Sequence, residues 1–308
     1  MTTDTISTAA DTPKAAGFVS SRRWLLWSGI AALCAWVLVP IYLVALGALG
    51  GRQGVYIWPK TGLPTGISLE PFILFLKTEG VVQSFLNSLG AAGITVALSI
   101  LLGAPAGYAL ARYDFRGKDS YRLLVLLTRA FPLAILALPL TVSFIRLGLY
   151  DTIVGVGLIH TVLALPFAAL VTQGIFLGVP KELEEAAWVF GCTRIQAFFK
   201  VVAPLALPGI VATAVFAFVI SWNEVFAASV LTVRNRTLTA YLLTVLSESP
   251  MHYRFAGGLM LILPSVVFIF AVRRPLRDLG HFLQITGPEI WPILSSTASA
   301  RASEPSRR

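Results

Sequence analysis

Charge is scarce in this chain. Of its 308 residues only 13% are Asp, Glu, Lys or Arg, against about a quarter in an ordinary soluble domain, while 56% are hydrophobic. So few charged groups cannot clothe a soluble surface, and the composition requires an apolar solvent. Cysteine is nearly absent. Cys34 and Cys192 stand far apart, and neither has a second cysteine or a histidine at ligand spacing. This reads as two thiols with packing roles, with no disulfide and no metal site. A G-x4-G-K-[ST] sequence is missing, so no phosphate-binding loop for ATP lies in the chain. The formal net charge of +9 sits in short basic stretches beside apolar runs. A basic stripe with interleaved aromatics is lacking, which argues against nucleic acid and for membrane orientation.

What is present is a series of long apolar runs. About 20 apolar residues in a helix cross a ~30 Å hydrocarbon core. Six runs meet that length: residues 24–49, 85–111, 123–145, 153–177, 205–231 and the shorter 256–272. The first follows Ser21-Arg22-Arg23, which has a twin-arginine flavour, but it is longer than the ~7–15 apolar residues of a signal peptide. It reads as an uncleaved first helix. With the N-terminus inside, sixteen Lys and Arg fall in inside segments and seven outside, which puts both termini in the cytoplasm. Anionic lipid headgroups favour the same placement.

The domain reading follows: a polar tail over 1–23, a six-helix membrane domain over 24–280, and an extension over 281–308, with the two extremities too polar to bury a core. The outer segment 50–84 contains Pro59, Pro64 and Pro71 and reads as irregular. Pro105, Pro132, Pro139, Pro166 and Pro264 inside runs imply kinks. Trp24, Trp27, Trp58 and Trp291 suit interfacial anchoring, and Arg129 suits snorkelling to headgroups.

The stretch 180–204, between the fourth and fifth runs, carries the most information. Pro180 fits the first turn of a helix. Glu182, Glu184 and Glu185 complement the dipole of that turn. Gly191 supplies a left-handed cap, and Thr193 can cap a second short helix reaching Lys200. Pro204 and Pro208 then lead into the fifth run. Leu183, Ala186, Ala187 and Phe190 fall at helical spacing on one apolar face. A helix–Gly–helix hairpin of this kind either fills a groove in a partner protein or lies flat on the bilayer, and spacing alone leaves both open.

The order Glu185-Ala186-Ala187, three residues, Gly191, nine residues, Val201, one residue, Ala203-Pro204 resembles the EAA signature of ABC-importer permeases. Val201 and Ala203 replace the usual Ile and Leu, and Phe190 replaces an Asp common in sugar permeases. The likeness extends over roughly residues 80–245. It takes in Asn87-Ser88-Leu89, Tyr108-Ala-Leu-Ala-Arg112 through Gly117, Phe131-Pro132, Pro166-Phe167 and Trp222-Asn223-Glu224. Together these look like the maltose-type carbohydrate permease subfamily. The C-terminus departs from it, with Arg273-Arg274-Pro275-Leu276 and a longer extension.

The resemblance implies an all-α polytopic membrane protein with a cytoplasmic coupling-helix hairpin. It also implies a sugar or sugar-like solute as cargo, a homologous second permease, two cytoplasmic ATPase subunits that bind ATP and Mg, and an extracytoplasmic solute-binding protein. The chain itself would hold no cofactor and be no enzyme. Glu184, Glu185, Ala186, Ala187, Gly191 and Arg194 would form the ATPase-coupling surface, Arg194 ordering the hairpin, reaching the ATPase, or simply facing solvent or lipid. Asn223 and Glu224 either line the solute path or join helices by hydrogen bonds, and His160 either lines the path or packs within the bundle. A polyamine cargo would demand acidic path residues, which are sparse. A secondary transporter would show paired interrupted helices or midplane coupling charges, and a membrane-embedded enzyme a convergent set that His160 alone does not supply.

Overall fold

The computed structural model describes residues 16–56, 58, 66–244 and 249–286. Among them the fold is all-α, in the order α1 (Ala16–Leu49), α2 (Gly51–Tyr56), α3 (Glu70–Lys77), α4 (Val81–Arg112), α5 (Lys118–Leu127), α6 (Leu133–Arg146) and α7 (Ile153–Leu177). There follow α8 (Lys181–Val189), α9 (Arg194–Ala197), α10 (Ala203–Asn223), α11 (Phe226–Leu231), α12 (Leu238–Thr244) and α13 (Met251–Thr286). Five helical segments are long and apolar enough to cross a membrane, and a sixth is counted when the bent pair α5–α6 is taken as one span.

The heart of the bundle is the seam between α4 and α7. Ala91, Thr95, Ser99, Gly103, Gly107 and Ala111 recur every four residues along α4, and all are buried. A four-residue repeat keeps them on one helix face, and their small side chains let the backbone of α7 come close, the usual basis of helix packing in lipid. The Thr172 hydroxyl lies 3.0 Å from the Gly103 carbonyl and the Thr95 hydroxyl 3.2 Å from the Gly157 carbonyl, each proton being shared with a carbonyl of its own helix, Ala168 at 2.7 Å and Ala91 at 2.8 Å. A Cβ on Gly107 would lie 2.7 Å from the Gln173 nitrogen, so only glycine permits this approach. Helix α10 closes the core against both, with Phe218 and Trp222 stacked at 5.6 Å between ring centres. The Trp222 indole donates to the Leu261 carbonyl on α13 at 3.0 Å.

Several expectations are corrected. The third run is not one continuous helix: α5 and α6 meet at 90° across Phe131–Pro132. Proline disfavours the helical region for the residue before it, and Phe131 and Pro132 are both extended. With 14 residues, α6 is about 21 Å long, short of a full crossing. The fifth run is also interrupted: α10 stops at Asn223, Glu224 is extended, and α11 starts afresh. The segment 50–84 is partly ordered as α2 and α3, and α4 begins at Val81. Pro71, in the first turn of α3, is a tolerated position and not a breaker. Helix α1 begins inside the expected tail, at Ala16, and α13 runs past residue 280 to Thr286. Residues 1–15 and 287–308, with Trp291, and likewise Pro59 and Pro64, lie outside the described residues.

At the end of the bundle opposite the hairpin, Asp151 forms a clasp. Its Oδ1 accepts from the backbone N–H groups of Val233, Arg234 and Asn235 at 2.8, 3.0 and 2.9 Å. The Asn235 amide returns a bond to the Asp151 carbonyl at 2.7 Å. Asp151 has φ +56°, a conformation Asp and Asn adopt more readily than other side chains. Burial raises the Asp151 carboxyl pKa, but bonds from Asn235, Val233 and Arg234 outweigh it and hold the group below the ordinary carboxylate value. Such a group adds stability that is fully present above its unfolded pKa of about 3.9 and lost as pH falls through the native value. Asp151→Asn keeps the shape and removes the charge. It should lower the thermal midpoint of the detergent-solubilised protein at pH 7, with the gap to wild type closing as the pH is taken below about 4.

Candidate functional site

The polar hairpin between α7 and α10 is built largely as its residues require. Pro180 precedes α8 as its cap, one position earlier than expected, and Glu182 and Glu184 lie in the first turn. Gly191 has φ +86°, where a side chain would be strained. Thr193 opens α9 with a complete capping box: the Gln196 nitrogen donates to Thr193 Oγ1 at 3.3 Å, and the Thr193 nitrogen donates to Gln196 Oε1 at 3.0 Å. The second helix was expected to end at Lys200. Instead α9 continues through a π-helical turn, Phe198–Val202, into α10, so that Arg194–Asn223 is one helical span of 30 residues. Pro204 accounts for the turn. It lacks an N–H and crowds the carbonyl four residues back, and a wider turn relieves both.

The expected apolar face is divided. Ala187 points inward and is buried, one turn after the buried Glu184. Leu183, Ala186, Val189 and Phe190 face outward, Phe190 at 87% exposure, and Ile195 and Phe199 extend the exposed apolar rim. Glu185 and Arg194 are exposed beside them. The Arg194 guanidinium lies 5.5 Å from the centre of the Trp188 ring, which ties α9 back over α8.

Glu184 was grouped with the outward residues, but the structure turns it inward. Its side chain is 4% exposed and forms an ion pair with Arg112, itself 6% exposed, Nε to Oε2 at 3.0 Å. The Tyr108 hydroxyl donates to the other carboxylate oxygen. Arg112 Nη2 also donates to the Val179 carbonyl at 2.9 Å. The Tyr108 ring packs edge-on against Phe176 and Phe198, at 5.5 and 4.7 Å. The hairpin is thereby clamped to the last turn of α4. Sequence reasoning did not assign Tyr108 and Arg112 to this clamp. The signal was their i, i+4 spacing at the end of a span, which places them on one face.

The three candidates near the far end of α10 separate. His160 is fully buried, with Nδ1 2.8 Å from Ser221 Oγ and Nε2 3.2 Å from Glu224 Oε2. Glu224 also accepts from the backbone N–H groups of Ala227 and Ala228, at 3.0 and 3.1 Å, and so caps α11. The chain of bonds continues from Ser221 to Thr95 on α4 at 3.3 Å. His160 and Glu224 therefore bind each other and join α7 to the break after α10. Asn223 is exposed, and its amide donates to the Val219 carbonyl of its own helix at 2.9 Å. Among the described residues no group of three or more His, Cys, Asp or Glu could hold a metal ion.

Comparison with known proteins agrees with this architecture. The trehalose transport system permease protein SugB of Mycobacterium tuberculosis is 33% identical over 268 residues, covering 83% of this chain and 95% of its own length. The arabinooligosaccharides transport system permease protein AraQ of Halalkalibacterium halodurans is 34% identical over 262 residues, 81% of this chain and 92% of its own. A solved bacterial ABC transporter involved in import of the acidic polysaccharide alginate shares the fold, with a TM-score of 0.66 at 21% identity, over 87% of this chain and 99% of that one. Residues 99–277 match the family described as binding-protein-dependent transport system inner membrane component. On the extent of that match and of the two permease relatives, the chain belongs to the family of binding-protein-dependent transport system inner membrane components.

Proposed function

We propose that this chain is the membrane-spanning permease subunit of an ATP-driven importer that carries a sugar or sugar-like solute inward. Both termini lie in the cytoplasm. The observation that carries the mechanism is the hairpin: a rim of Leu183, Ala186, Val189 and Phe190 beside Glu185, exposed on a knuckle whose second helix is continuous with a membrane span. An apolar helix face of this kind fits a groove in a partner. The partner is a separate ATPase subunit, which holds ATP and Mg, and Glu185 meets a basic group on it. Closure of an ATPase pair pulls two such knuckles together, one from this chain and one from a homologous permease. A solute-binding protein delivers cargo at the opposite face. The chain is no enzyme by itself.

The cargo reading draws on relatives that transport trehalose and arabinooligosaccharides. It is supported by the scarcity of free acidic groups along the spans, since a polyamine would need them and Glu224 is committed to His160 and to α11. The path itself follows the broken third span. Irregular backbone at membrane depth is tolerated only where protein or a water-filled cavity covers it. Neither α5 nor α6 has a residue buried within this chain, so the cover comes from the second permease and the solute channel. Asn223, with an exposed amide, remains a path residue, while His160 and Glu224 hold helices together.

Two outcomes test this. In proteoliposomes holding the complete transporter, Glu185→Lys or Gly191→Pro should leave the chain inserted but cut solute accumulation at least about tenfold for the same ATP hydrolysis. Normal accumulation in both would refute the coupling role. Glu224→Ala should lower the thermal midpoint with KM for the solute unchanged, since it leaves a buried His160 nitrogen and two backbone N–H groups without their acceptor, at about 1–3 kcal/mol. A raised KM with unaltered stability would return Glu224 to the solute path.

A further inference from the structure

The geometry points to Arg112, with Tyr108, as the joint that carries movement of the hairpin into the second membrane span. The inference rests on the hairpin being the ATPase contact and adds the route by which its motion reaches the bilayer.

Glu184 and Glu185 are adjacent, and successive side chains on a helix point about 100° apart. They cannot share a face, and the structure gives them different surroundings: Glu185 is exposed on the knuckle, and Glu184 is buried beneath it. Both oxygens of the Glu184 carboxylate are taken by α4, Oε2 by Arg112 Nε and Oε1 by the Tyr108 hydroxyl. Arg112 also holds the Val179 carbonyl, just ahead of α8. The same α4 side chains thus hold the hairpin at Val179, just ahead of α8, and at Glu184, in its first turn.

A clamp of this composition resists opening. Separating the pair would leave a carboxylate and a guanidinium buried without partners, the costliest way to break such a contact. The Tyr108 ring packs against both Phe176 at the end of α7 and Phe198 in the π-turn, which also touch each other, so it contacts the segments entering and leaving the hairpin. When a partner displaces the knuckle, α4 follows through Arg112 while α10 follows through the unbroken helix from Arg194. Two spans then move together. Arg112 and Tyr108 are positioning residues, since they act through Glu184 and neither is on the exposed rim.

The test uses the complete transporter, with its ATPase subunits, second permease and binding protein, in proteoliposomes containing the transported sugar. Three quantities are read: ATPase subunit retained on purification, ATP hydrolysed, and solute moved per ATP. Arg112→Met should retain the ATPase and hydrolyse ATP within about twofold of wild type, while solute moved per ATP falls at least about tenfold. Arg112→Lys, which keeps a cation for Glu184 but cannot grip two acceptors as a fork, should recover part of that loss. A residue needed only for folding would lower yield and leave the ratio untouched. An unchanged ratio in assembled Arg112→Met overturns the proposal. Should that variant fail to assemble, Tyr108→Phe removes one hydroxyl and keeps the ring. It should lower the ratio about threefold at full ATPase retention, and no fall overturns the proposal. Failure of the hairpin reading is recognisable separately: Glu185→Lys would then transport normally, whereas failure of the joint alone leaves Glu185→Lys uncoupled and Arg112→Met coupled.

Discussion

The structure depends on how closely α4 and α7 can approach. In hydrocarbon, apolar side chains gain nothing by leaving lipid for one another, so association rests on tight packing and on hydrogen bonds between helices. The row from Ala91 to Ala111 supplies the packing, and the hydroxyls of Thr95 and Thr172 supply the bonds. With that seam fixed, everything else along α4 falls into place. Midway along it Thr95 meets Ser221, and through it His160 and Glu224. At its C-terminal end, Tyr108 and Arg112 arrive beneath the hairpin. One helix therefore positions both polar networks.

The two networks differ in chemistry in a way that suits their places. Around Glu224 the carboxylate caps a short helix through two backbone N–H groups and pairs with a histidine within a short compass. Beneath the hairpin a full ion pair is reinforced by a phenol and a backbone carbonyl. The first shapes the interruption after α10. The second binds a protruding element to the membrane domain.

Much of this was legible in the sequence, and the limits are instructive. The apolar runs located the spans because length and hydropathy alone decide whether a helix can cross a bilayer. Gly191 and Thr193 gave the hairpin because left-handed caps and capping boxes are local events. The breaks were harder. Pro132 was marked as a kink, yet a 90° turn depends on what surrounds it, and residues 205–231 are apolar enough to conceal the stop at Glu224. Which glutamate turns inward is hidden from the sequence for a simple reason: three glutamates in one turn look alike until a partner 72 residues away fixes which faces inward. Burial of polar groups is set by tertiary neighbours, which a local pattern does not contain.

The π-helical turn at Phe198–Val202 gives the chain a degree of freedom that a regular helix lacks. Such a turn accommodates one surplus residue without breaking the column of hydrogen bonds. Removing that residue would restore an ordinary α-helix and leave the segments on either side facing much as before, whereas a deletion elsewhere in the helix would swing everything before it by about 100° around the axis. The azimuth of the knuckle relative to the bilayer thus depends on whether a residue is gained or lost within this turn, which absorbs it, or in the regular helix beyond, which does not. A lineage could in this way retune which face the knuckle offers while leaving the membrane core untouched.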